Sequence, residues 1–120
     1  MHFFVDGGGY DGLTSANFIK KSPSYKAIYY FEPFLDSMNL SIEKLKMYDN
    51  IRYFQFGLWN ENETLNFKSN LGNANKISSE GDISINVVKL SDCSIEKVDF
   101  IKLDIEGAEL NAIEGAKELI

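Results

Sequence analysis

The sequence predicts an α/β domain built on a parallel sheet with helices on both faces. Three observations point there. Short apolar segments alternate with segments patterned as helices. The first segment, Phe3-Phe4-Val5, is apolar at consecutive positions, as expected of a strand covered on both sides. Three of the segments end on a carboxylate, Asp6, Glu32 and Asp104, which a parallel sheet gathers at one edge.

Taken in order, Phe3 to Asp6 is the first strand, and the glycine-rich run Gly7-Gly8-Gly9-Tyr10-Asp11-Gly12 follows it. Leu13 to Lys21 reads as a helix, with Thr14 or Ser15 as its capping residue. It stops at Ser22-Pro23-Ser24, because proline disfavours helical geometry in the residue before it. Lys26 to Glu32 is the second strand, ended by Pro33. Phe34 to Tyr48 reads as a helix broken near Leu40, with Ser41 capping its second part. Ile51 to Gly57 is the third strand.

The interval to Val98 is too polar for a simple crossover. Thr64 to Phe67 and Ile83 to Val88 alternate apolar and polar residues and predict two half-exposed strands. The Ser-, Asn- and Gly-rich stretch from Ser69 to Asp82 reads as a mobile loop between them, and Ser91 to Lys97 as a short helical turn. Val98 to Asp104 is the fourth main strand. Ala108 to about Glu114 is a last helix, interrupted at Gly115. Right-handed crossovers then make this a Rossmann-like sheet, in one domain over 1–120, with a hairpin-like insertion between the third and fourth strands.

Composition narrows the function. The formal net charge of −6 argues against a nucleic-acid or anionic-membrane surface, which needs clustered Lys and Arg. No apolar run has the length of a membrane span, and the N-terminus lacks a signal pattern. The single cysteine, Cys93, has no internal disulfide partner and fits a reducing compartment, so the cytoplasm is the expected location.

Glycine lets a backbone turn sharply and approach a ligand closely. Gly7, Gly9 and Gly12 satisfy G-x-G-x-x-G, with Glu32 at the distance of the acidic residue that binds ribose hydroxyls in nicotinamide-dinucleotide sites. The same run satisfies D-x-G-x-x-x-G through Asp6, Gly8 and Gly12, the form carried by proteins that bind S-adenosylmethionine. Glu32 serves either ligand. Asp6 and Asp11 flank the glycines and disfavour a pyrophosphate, whereas a ligand with ammonium and sulfonium charges suits them. A turn needed only for tight packing is the remaining alternative, and it leaves the convergence of Glu32 and Asp104 without an explanation.

Three segments together resemble the FkbM family of methyltransferases: Phe4 to Gly12, Phe31-Glu32-Pro33, and Val98 to Glu109 with its Asp104-Ile105-Glu106-Gly107-Ala108-Glu109 run. Gly57-Leu58-Trp59-Asn60 is similar to that family's Ala-Leu-Ser-Asp after the third strand, and Ile113-Glu114-Gly115-Ala116 to the end of its following helix. Gly9 stands where alanine is common, and Asn60 where aspartate is common. The resemblance implies a class I methyltransferase fold of which this chain holds the first four core strands. A fragment, a truncated product, or a chain that completes its sheet with another copy through the open edge are the readings of that shortfall.

The activity implied is methyl transfer from S-adenosylmethionine to a hydroxyl of a sugar, glycan or natural product, and the resemblance covers nearly the whole chain. Asp6, Gly8, Gly9, Gly12 and Glu32 are the expected cofactor contacts, with Trp59 and Asn60 near the adenine. Asp104 is the first candidate for the base that removes the hydroxyl proton, and Glu106 the second. Supporting the turn (Asp104) or starting a helix (Glu106) are their structural alternatives. No ligand spacing supports a metal. An NAD-dependent oxidoreductase and a non-catalytic cofactor-binding fragment are the competing readings.

Overall fold

The computed structural model describes residues 2–68, 76–77, 83–95, 97–103 and 109–117. Its main sheet has the order β3-β2-β1-β8, all parallel. These strands are β1 (Phe3–Gly7), β2 (Ala27–Phe31), β3 (Ile51–Phe54) and β8 (Phe100–Leu103). Neighbours align Val5 with Tyr29 and with Ile101, and Tyr30 with Tyr53.

Successive side chains of a strand point to opposite faces, and here both faces are covered. Phe4, Ile28 and Tyr30 pack with Ala16 and Ile19 of α1 (Leu13–Lys21) and with Met38 and Leu45 of α2 (Leu35–Leu45). Val5, Tyr29 and Phe31 pack on the other side with Leu58, Leu90, Ile95 and the helix residue Ala112. That helix is α3 (Glu109–Gly115). The unbroken apolar runs Phe3 to Val5 of β1 and Ala27 to Phe31 of β2 are the signature of this double burial.

The predicted insertion forms a second sheet, in the order β4-β7-β5-β6. It comprises β4 (Gly57–Leu58), β5 (Glu63–Lys68), β6 (Lys76–Ile77) and β7 (Ile83–Val88), with β5 and β7 antiparallel. A 3-10 turn at Leu90–Asp92 leads back toward the main sheet. Most of the stretch read as a mobile loop, Ser69 to Asp82, lies outside the described residues.

Three expectations are corrected. The third strand stops at Phe54, and Gly57 belongs to the second sheet, paired with Val87. The second helix runs unbroken through Leu40, and Ser41 is fully buried inside it rather than at a cap. The first helix is entered through Gly12 in a left-handed conformation (φ 87), with neither Thr14 nor Ser15 capping it.

Gly115 is the last residue of α3, and most of the stretch expected to follow the interruption, 118–120, lies outside the described residues. A Cβ on Gly115 would strike the backbone carbonyl of Trp59, so glycine is what lets this helix lie directly on the chain leaving β4. Among the described residues, no helix is long and apolar enough to cross a membrane.

Candidate functional site at the carboxyl edge of the sheet

In an open parallel sheet, ligands bind beyond the carboxyl ends of the strands, where the chain order reverses. Here β1 is that point: β2 and β3 continue on one side of it, β8 on the other. The glycine run leaves β1 at this position.

The turn is held by the protein's own groups. The amides of Gly8 and Gly9 both donate to the Phe31 carbonyl, at 3.0 and 3.1 Å, and Gly12 donates to Gly9 at 3.1 Å. Gly8 and Gly12 have φ 77 and 87, the region that glycine enters without a Cβ penalty. Gly9 is glycine for another reason. A Cβ on it would fall within the ring of Tyr30, which is fully buried beneath the turn. This accounts for glycine where the resembled family commonly has alanine.

Asp6 lies under the turn with no exposed surface. Its carboxylate accepts from Ser15 Oγ at 2.6 Å and from Lys102 Nζ at 3.2 Å. The same ammonium donates to the Gly8 carbonyl at 3.0 Å. Asp6 therefore supports the turn from within and has no surface from which to reach a ligand.

Glu32, directly after β2, is also buried (4% exposed). Its two oxygens accept one backbone N–H each, from Tyr10 at 3.0 Å and from Phe34 at 2.9 Å. Each oxygen keeps a second acceptor position. Burial pushes the Glu32 carboxyl above its ordinary value of 4.5, against the lowering effect of those hydrogen bonds and of Lys102; Asp6 adds to the rise.

A raised folded-state value means that Glu32 stabilises the fold fully below that ordinary range and loses this contribution as pH rises through the raised value. In Glu32→Gln the amide nitrogen must face one of the two backbone donors, a mismatch worth about 1–3 kcal/mol. The stability of the parent relative to this non-titrating variant is expected to fall as pH rises through the raised Glu32 value. Thermal unfolding of both proteins on either side of that value measures it.

Asp11 accepts from the Leu13 amide at 3.0 Å, occupying the start of α1, and lies 3.7 Å from Lys44. Ser41 Oγ is 2.9 Å from the carbonyls of both Tyr10 and Ser37 and 2.5 Å from the Tyr30 hydroxyl. Since the serine proton is committed to a carbonyl, Tyr30 is the donor in that pair.

The structure thus brings Asp6, Gly8, Gly9, Gly12 and Glu32 together. Trp59 and Asn60 follow β4, where the Trp59 amide donates to the Val88 carbonyl at 2.9 Å. Asn60 lines a polar cavity of about 190 Å³ with Lys89, Ser91 and Glu114. Asp104 and Glu106, the candidate bases, lie outside the described residues. Among the described residues, no three His, Cys, Asp or Glu side chains cluster as metal ligands would.

Sequence reasoning missed Lys102, Ser15 in its actual role, and Ser41. The signal for Lys102 was present: it is a lone cation within an apolar strand, and the sheet register sets it beside Asp6.

Comparison with known proteins agrees with this fold. A solved structure, the methyltransferase FkbM from Methylobacillus flagellatus KT, superposes with a TM-score of 0.78 at 22% identity. The match covers 99% of the present chain and 30% of that one, so this chain spans under a third of the solved protein's length. No curated protein matches the sequence. The family pattern described as the methyltransferase FkbM domain matches residues 6–120, from the buried aspartate of β1 to the last residue, and the chain belongs to that family.

Proposed function

We propose that the carboxyl edge binds S-adenosylmethionine and that the protein serves methyl transfer to a hydroxyl of a sugar, glycan or natural product. The observation that carries the choice of ligand is the occupancy of the turn's donors. Pyrophosphate binding at a helix N-terminus relies on free backbone N–H groups. Here Gly8, Gly9, Tyr10, Gly12 and Leu13 all donate within the protein, the last to the Asp11 carboxylate. A dinucleotide would have to displace that carboxylate. A ligand with hydroxyls and positive charge fits the donor set instead: Glu32 retains acceptor capacity for ribose hydroxyls, and Asp11 supplies negative charge.

When bound, S-adenosylmethionine supplies an electrophilic methyl group. The chain's part is to fix its position: the glycine turn sets how closely the ligand approaches β1, and Glu32 sets the ribose. Trp59, as an aromatic able to stack, and Asn60, on the strength of the family resemblance, are the proposed adenine neighbours. Asp104, then Glu106, is the proposed base for the acceptor hydroxyl. Alignment of that hydroxyl with the methyl–sulfur bond supplies much of the acceleration. The cytoplasm is the proposed compartment, and association through the outer edge of β8 the proposed assembly contact.

Calorimetry with S-adenosylhomocysteine and with NAD tests the reading. Binding of the first and none of the second is expected. The reverse result would establish the dinucleotide alternative, and binding without turnover on any hydroxyl acceptor would favour a non-catalytic cofactor-binding fragment.

A further inference from the structure

Tyr10 has an unusual combination of features. It is a bulky residue at φ 60, in the left-handed region that favours glycine and asparagine. Both of its backbone polar groups are tied down by buried side chains: its N–H donates to Glu32 and its carbonyl accepts from Ser41. Ser41 is in turn fixed by Tyr30, and Glu32, Ser41 and Tyr30 are all buried. The residue itself is left 61% exposed at the ligand edge.

A conformation of this kind persists only where its surroundings enforce it, and such residues cluster at ligand sites. A turn whose sole task was to close the backbone would relax with glycine at this position, and three glycines already stand beside it. Two polar anchors and a strained backbone here instead display an aromatic ring.

We infer that Tyr10 is a ligand-binding residue whose ring meets the positively charged methionine end of the cofactor. This rests on the S-adenosylmethionine reading above. Glu32 assigns the ribose to the end of β2, and Tyr10 lies in the turn leaving β1, one strand closer to β8. The face of a tyrosine ring attracts a cation, and the sulfonium is a cation that the demethylated product lacks. Asp11, next in sequence and 45% exposed, places a carboxylate at the same edge, 3.7 Å from the Lys44 ammonium.

The test compares S-adenosylmethionine with S-adenosylhomocysteine by calorimetry on the parent, Tyr10→Gly, Tyr10→Asn and Tyr10→Phe. Glycine and asparagine suit the left-handed backbone, so both variants are expected to melt no lower than the parent. They should nonetheless bind S-adenosylmethionine about tenfold more weakly, and the neutral product no more than about threefold more weakly. Tyr10→Phe keeps the ring and should stay within about threefold of the parent for both. Equal losses for the two ligands, or no loss, overturn the inference while leaving the cofactor reading intact. A parent that binds neither ligand overturns both.

Discussion

Replacing Lys102 with Met is expected to cost about 3–5 kcal/mol of stability, the usual consequence of removing one partner from a buried ion pair. The asymmetry of the pair is what makes the effect large. Asp6 has no exposed surface, whereas the Lys102 side chain keeps 25% of its own. Without the ammonium, the carboxylate keeps, among the described residues, only the Ser15 hydroxyl, and the Gly8 carbonyl loses a donor as well. Against the 5–15 kcal/mol typical of a folded domain, about 3–5 is a large fraction. Urea denaturation of the parent and of Lys102→Met measures the loss. Asp6→Asn combined with Lys102→Met removes the orphaned charge and should recover more than half of it. A single variant within about 1 kcal/mol of the parent would show that solvent reaches Asp6 and that the pair contributes little.

The register that sets Asp6 beside Lys102 also shows what sequence reading captures and what it misses. The boundaries of α1 and β7 follow from local pattern and match the structure at both ends. Asp6 and Glu32 are legible because a parallel sheet gathers the carboxyl ends of its strands at one edge. What was not legible depends on residues distant in sequence. Ser41 reads as a helix cap because serine favours caps. Its actual partners include Tyr30 and Tyr10, 11 and 31 residues away. Likewise Phe54 and Gly57 look like one strand until the antiparallel pair β5 and β7 draws the second of them into another sheet. In sequence Gly9 is one more ligand-facing glycine, and only the packed structure shows Tyr30 in the place of its Cβ.

The turn and the residues beneath it are therefore one unit. Glu32 holds Tyr10 from β2, Ser41 holds it from α2, and Lys102 holds Gly8 from β8. Three elements that meet the ligand edge from different directions thus fix Gly8 and Tyr10 within the turn. Such a site is preorganised: ordering entropy is spent in folding, not at the moment of binding. Substitutions beneath the turn should accordingly weaken the site even where they touch no ligand.

Gly9→Ala is the sharpest case. A methyl group at this position overlaps the terminal atoms of the Tyr30 ring, and the ring has no free direction in which to retreat. Tyr30 is completely buried, packs edge-on against Tyr53 at 5.7 Å between centroids, and is hydrogen-bonded to Ser41 at 2.5 Å. Overpacking of this kind typically costs about 1–3 kcal/mol, and here it also threatens the Ser41 hydrogen bond, worth about 1 kcal/mol more. Gly9→Ala is thus expected to destabilise the protein by about 2–4 kcal/mol in urea denaturation. Because the clash has a single named partner, a double-mutant cycle isolates it. Tyr30→Leu removes the ring's end, and in that background Gly9→Ala should cost less than about 1 kcal/mol. An equal cost in both backgrounds would place the constraint in the backbone of the turn instead of the ring.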